Sequence, residues 1–184
     1  MSTQYAAFDD GGNAGAAGGL ASFNGKLLRL NADGTTPGDQ VASTPVSAGG
    51  LRSPRGLDWH PGTGMLWIVD EDSPRRASLK EMGARPSGSR QETTEAPHAL
   101  PSGASALAFY RSDRIAAFRG DLFIAVDEGR HLLRLRLAAQ DPRRIESAER
   151  LLDDRVGGVR AVAVGRDGAI YFCTDWALGR LVPG

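Results

Sequence analysis

The sequence predicts an all-β chain built from a repeated antiparallel unit. Helical periodicity is scarce: across 184 residues no segment carries a long amphipathic stripe. Short apolar or alternating runs dominate, bounded by glycine, proline, aspartate and asparagine, the punctuation of strands. The runs also recur in one order: a strand, a glycine-containing turn, an apolar strand, then an acidic residue.

Gln4-Tyr5-Ala6-Ala7-Phe8-Asp9 reads as the tail of one such unit whose first strand is missing. The glycine-rich residues 11–19 read as an inter-strand loop, because they lack the GxGxxG spacing and the Lys-Ser/Thr ending of a phosphate loop. Lys26-Leu27-Leu28-Arg29-Leu30 alternates and stops at a turn, Asn31-Ala32-Asp33-Gly34. Gly56-Leu57-Asp58-Trp59 leads through His60-Pro61-Gly62-Thr63-Gly64 into Met65-Leu66-Trp67-Ile68-Val69-Asp70, a hairpin whose proline and glycines set the turn. Residues 78–82 and 144–152 each read as a turn or two of helix. Ala106-Leu107-Ala108-Phe109-Tyr110 is followed, after an insertion, by Leu122-Phe123-Ile124-Ala125-Val126-Asp127. Residues 159–164 lead through Gly165-Arg166-Asp167-Gly168 into a strand ending at Asp175.

The acidic ends Asp9, Asp70, Asp127 and Asp175 lie 61, 57 and 48 residues apart. Three units continue into a Leu-Leu-Arg-Leu strand or a relative of it, at residues 27–30, 132–135 and 180–182, read as outer strands. Repeats of ~40–50 residues, each worth about four strands, are the signature of β-propeller blades. A β-sandwich is the competing architecture. At ~45 residues per blade the chain makes about four blades, so residues 1–184 read as one partial propeller domain. Trp59, Trp67, Phe123 and Tyr171 are expected between the sheets.

Composition narrows the function. The 22 basic and 22 acidic residues cancel, and the pI is near 6.8, which argues against a broad electrostatic grip on nucleic acid or an anionic membrane. No apolar run approaches the ~20 residues of a membrane helix. Residues 1–5 show no basic or apolar leader character, so no export signal is read there, and the compartment is left open. Cys173 is the sole cysteine, and its aromatic surroundings suggest an inert core thiol. No Ser-His-Asp order or nucleophile elbow is visible.

Four motifs in order carry a resemblance. Residues 25–34, the run Leu51-Arg52-Ser53-Pro54-Arg55-Gly56-Leu57, Leu107-Ala108-Phe109-Tyr110 with Phe118-Arg119-Gly120-Asp121-Leu122-Phe123-Ile124, and residues 164–175 resemble the soluble sugar dehydrogenases that use pyrroloquinoline quinone (PQQ), the glucose/sorbosone dehydrogenase family. The resemblance covers nearly the whole chain. It implies a six-bladed propeller of which this chain is the C-terminal part, with PQQ and calcium as cofactors. The implied chemistry is hydride transfer from sugar C1 to the quinone, with a histidine base, arginines stabilising the reduced cofactor and calcium polarising it.

Residue by residue, that implication is incomplete. The family's histidine lies upstream of the strand matched by residues 4–9, so no catalytic residue is assigned. Arg52 and Arg160 match cofactor arginines and are the candidate quinone contacts. The family's lysine falls at Glu128, and a second arginine falls at Gly158. The calcium loop falls at Asp70-Glu71-Asp72, which is only part of the six to eight oxygens calcium takes and reads as a solvated acidic loop countered by Arg75 and Arg76; no metal ligand is assigned. Among the histidines, His60 sits in a hairpin turn and His131 opens a strand, while His98 lies in a Pro-rich connection, residues 86–101, able to reach over the channel.

The expectation is therefore a PQQ-dependent aldose dehydrogenase-like protein, truncated or catalytically impaired in this chain, whose partner is a sugar or other small molecule. The alternative is a non-catalytic degenerate propeller binding a ligand or protein. A propeller lactonase or hydrolase would need axial carboxylate and asparagine ligands, and only Asn13, Asn24 and Asn31 exist. Uncovered blade faces are expected to favour self-association.

Overall fold

The computed structural model describes residues 3–19, 21–40, 43–82 and 93–183. These form four antiparallel sheets in chain order. Sheet one holds β1 (Thr3–Ala7), β2 (Lys26–Asn31) and β3 (Val46–Gly49). Sheet two holds β4 (Pro54–Trp59), β5 (Leu66–Ser73), β6 (Arg76–Met82) and β7 (Thr93–Leu100). Sheet three holds β8 (Ala104–Phe109), β9 (Leu122–Val126), β10 (His131–Ala138) and β11 (Asp141–Leu151). Sheet four holds β12 (Ala161–Val164), β13 (Ile170–Cys173) and β14 (Leu178–Leu181).

Each sheet is a meander, and the first strands of sheets two, three and four run side by side. The Phe109 amide donates to Asp58 Oδ2 at 2.7 Å, joining the far ends of β8 and β4. Ser105 Oγ donates to Val159 O at 3.2 Å, joining the starts of β8 and β12. At residue 56 a Cβ would sit 2.8 Å from Ala106 Cα, so glycine is what lets β4 approach β8 this closely. These are propeller blades, as the repeat predicts.

The core lies between the sheets. Leu122, Ile124 and Val126 pack with Trp67, Val69, Leu79 and Phe109 between sheets two and three. Phe123 and Ala125 face the other way, joining Tyr110, Ile170 and Phe172 between sheets three and four. Both faces of β9 are therefore covered, which is why Leu-Phe-Ile-Ala-Val is unbrokenly apolar. In β5, Leu66 and Ile68 turn to Leu27, Ala48 and Leu51 of the sheet-one side. Each such side chain contributes about 1.5–3 kcal/mol when fully buried.

Several expectations are corrected. Trp67 and Phe123 are fully buried, but Trp59 is 37% exposed and meets Tyr5 edge-on at 5.2 Å. Tyr171 and Cys173 lie on the face of β13 opposite Ile170 and Phe172, only half-buried, so Cys173 is not a core thiol. Residues 78–82 belong to β6 and 144–151 to β11, where cross-strand pairing overrides local helix preference. The glycine-rich run contains a short helix, α1 (Ala14–Gly18), capped by Asn13 Oδ1 on the Ala16 amide and tethered by Lys26 Nζ on the Ala16 and Ala17 carbonyls. Of the Leu-Leu-Arg-Leu strands only β14 is outermost; β2 is second and β10 third in its sheet, with β3 and β11 lying outside them. His98 sits on β7, while the first part of its expected connection, residues 86–92, lies outside the described residues. No helix among the described residues is long and apolar enough to cross a membrane.

Candidate functional site

In every sheet the second strand ends beside the start of the first strand, because the two are antiparallel. Asp70, toward the end of β5, and Asp127 and Asp175, just after β9 and β13, thus gather at one end of the blades, together with the residues preceding β4, β8 and β12. Asp10 lies there too, its amide donating to the Arg52 carbonyl at 2.8 Å.

Arg52 precedes β4 and is exposed. Its amide donates to both oxygens of Asp70 at 3.2 and 3.1 Å, and the Ser53 amide donates to Asp70 Oδ1 at 2.7 Å. Its guanidinium donates to the Asp72 carbonyl. Arg160 precedes β12 and is also exposed. Its amide donates to Cys173 O at 2.8 Å, and its guanidinium spans Asp127 at 2.8 Å and Asp175 at 2.9 Å. The hydrogen bond it donates to Asp175 and the charge of Asp127 hold its pKa above the ordinary arginine value.

The acidic loop is not countered by Arg75 and Arg76. Lys80 Nζ lies 2.5 Å from Asp70 Oδ2 and 3.2 Å from Asp72 Oδ1, and Arg55 pairs with Glu71 at 2.6 Å. Burial pulls the Lys80 pKa down, but the hydrogen bond and charge of Asp70, with Asp72, outweigh it and leave it raised. Sequence reasoning missed Lys80. Its signal was one of the chain's two lysines, set beside Leu79 and near Met82 in a short strand-length run.

The family implies calcium and a quinone, and the residues present fit neither in full. Asp70 and Asp72 already hold an ammonium, and no group of three or more His, Cys, Asp or Glu among the described residues is placed to hold a metal. Glu128, at the lysine position, accepts a hydrogen bond from Ser102 Oγ. At Gly158 a Cβ would lie 2.0 Å from Asp127 Oδ1, so a carboxylate fills the space where the family's second arginine would begin. Carboxylates at Asp127, Glu128 and Asp175 repel an anionic tricarboxylate. Only Arg52 and Arg160 remain of the expected contacts, and the structure brings both to the same end of the blades.

No histidine supplies a base at that end. His60 lies at the opposite end, its Nδ1 accepting from the Gly62 and Thr63 amides at 3.1 Å. His98 Nε2 contacts the Arg143 carbonyl at 3.1 Å, across the outermost strands of sheets two and three. His131 is 1% exposed and contacts Gly129 O at 2.6 Å through Nδ1, out of reach of any substrate.

Consecutive meander blades with arginines and carboxylates collected where the inner strands begin define a β-propeller type of architecture with one charged end. Residues 77–183, more than half of the chain, match the model of the Glucose / Sorbosone dehydrogenase family, and the chain belongs to that family. It is 26% identical over 196 residues to the aldose sugar dehydrogenase YliI of Escherichia coli K12, covering 89% of this chain and 51% of that protein. It is similar to a solved glucose dehydrogenase at TM-score 0.80 and 29% identity, covering 97% of this chain and 56% of that one. The PQQ-bound aldose sugar dehydrogenase of Streptomyces coelicolor shares the fold at TM-score 0.71 and 21% identity, covering 92% and 52%. The chain thus spans about half the length of its relatives.

Proposed function

We propose that this chain is part of a PQQ-dependent aldose dehydrogenase and supplies one wall of its quinone site, through Arg52 and Arg160. The observation carrying this reading is their convergence at one end, from motifs 108 residues apart, in a chain of this family. The planar guanidinium forks are suited to cofactor carboxylates and quinone oxygens. The base and the divalent cation are not supplied by the described residues, so the isolated chain is catalytically impaired; loss of a positioned base typically costs about 10²–10⁴-fold.

Titration of the chain with PQQ, followed by quenching of tryptophan fluorescence, tests the reading. Saturable binding weakened about tenfold or more by Arg52→Ala or Arg160→Ala is expected, that being one lost charge-assisted contact. Dye reduction with glucose, PQQ and calcium should show no turnover. Binding indifferent to both substitutions, or robust turnover, overturns it. The alternative of a non-catalytic ligand-binding propeller draws support from the carboxylates that clamp Arg160; absence of PQQ binding favours that alternative. The isolated chain is also read as self-associating: Leu178 is 75% exposed on the open face of sheet four, next in register to Cys173 and Ala161. A monodisperse monomer in light scattering removes that part.

A further inference from the structure

Asp70 has no solvent exposure, and Lys80 is 6% exposed. A buried carboxylate is tolerated only with a countercharge and hydrogen bonds to its lone pairs. Asp70 has both: Lys80 Nζ at 2.5 Å and the amides of Arg52 and Ser53. The register explains the reach. Asp70 opposes Ser78 and Ile68 opposes Lys80, so Asp70 and Lys80 are diagonal neighbours on one face of the β5–β6 ladder. The same ammonium lies 3.2 Å from Asp72 Oδ1, while Asp72 Oδ2 is buried without a partner. Two carboxylates therefore converge on one cation that the chain itself carries.

We propose that Lys80 is a built-in substitute for a bound divalent cation at the end of β5, and that through Asp70 it positions the backbone of Arg52. The ammonium satisfies Asp70 and Asp72 on one side, and the amides of residues 52 and 53 satisfy Asp70 on the other. The loop entering β4 is thereby fixed without metal. Lys80 is a positioning residue: it acts on Arg52 only through Asp70. The inference stands whether or not the chain binds a quinone.

The test uses the whole chain and needs no cofactor. The melting temperature of the wild type is expected to be unchanged by EDTA or by millimolar calcium. Lys80→Met is expected to melt about 10 °C lower, as loss of one partner of a buried pair does in a domain this size. Millimolar calcium, drawn to the two freed carboxylates, should recover part of that loss. Amide exchange at Arg52 and Ser53 should quicken at least about tenfold in Lys80→Met, one hydrogen bond's worth, and return in Lys80→Arg. A wild type stabilised by calcium overturns the proposal, as does a Lys80→Met chain that matches wild type in melting and exchange. Failure of Lys80→Met to respond to calcium also overturns the substitution. If Lys80→Met does not fold, the wild-type calcium series and the Lys80→Arg exchange rates decide it alone.

Discussion

Arg52 and Arg160 sit at the same end of the molecule, each tied to carboxylates, yet the two arrangements differ in kind. Beside Arg52 the carboxylate is buried, countered by Lys80 and hydrogen-bonded to two amides, so the arginine's backbone is fixed while its exposed guanidinium donates to the Asp72 backbone carbonyl rather than to a carboxylate. Beside Arg160 the carboxylates are Asp127, partly buried, and Asp175, exposed, and they hold the guanidinium itself. The first arrangement builds the loop; the second competes with any anionic ligand for the side chain. Burial, not the number of partners, separates them: a surface pair contributes little and is screened, whereas a buried pair is costly to break.

The largest expected effect comes from breaking the buried side. Asp70→Asn keeps the shape but leaves the buried Lys80 with Asp72 as its carboxylate partner, and should destabilise the chain by about 3–5 kcal/mol in urea titration. A loss of less than 1 kcal/mol would erase the distinction drawn here between the two arginines. Gly158→Ala acts on the other side. The new Cβ displaces the Asp127 carboxylate and crowds its carbonyl, at 2.9 Å, for a cost of about 1–3 kcal/mol. It should also leave Arg160 paired to Asp175 alone, visible as a shifted guanidinium resonance.

Salt sharpens the contrast. At about 1 M NaCl the screening length falls to roughly 3 Å. A double-mutant cycle on Arg160 and Asp175 should then show no coupling, while the cycle on Asp70 and Lys80 keeps most of its low-salt value. The smallest effect belongs to the opposite end. Burial holds the His60 pKa below its ordinary value, with the nearby Arg111 charge adding to this against Glu81. A histidine depressed in the folded state takes its proton more readily when unfolded, so stability is lost as pH falls through about 6.5. Melts between pH 7.5 and 5 should slope downward, less steeply in His60→Gln, and Arg160→Ala should leave the slope alone.

The blades were legible because hairpin punctuation is local: His60-Pro61-Gly62 and Gly165-Arg166-Asp167-Gly168 announce their turns within a few residues. What lay beyond reach depended on distant partners. Residues 78–82 looked helical because Lys80 and Glu81 broke the apolar run, yet both are buried, one against Asp70 and the other against Arg143, 62 residues away. The charged strand β11 gives little alternation, since only its pairing with β10 makes it a strand. For the site, motif matching singled out Arg52 and Arg160 as candidates, but gave no sign of Asp127 in the space beside Gly158, nor of the countercharge of Asp70. Those are facts of packing between sheets, which a window along the chain does not contain.

Among the described residues each core cluster joins two neighbouring sheets, and the clusters run from sheet one to sheet four in an unbroken series. A molecule joined this way behaves as a short one-dimensional array, whose stability is a sum of unit and interface terms. The covered strands β5 and β9, with an interface on each side, are expected to exchange slowest. The outer sheets, with one interface apiece, open first and in either order. Any further blade that docks on sheet four therefore strengthens β12, which carries Arg160 at its entrance, before it strengthens anything else.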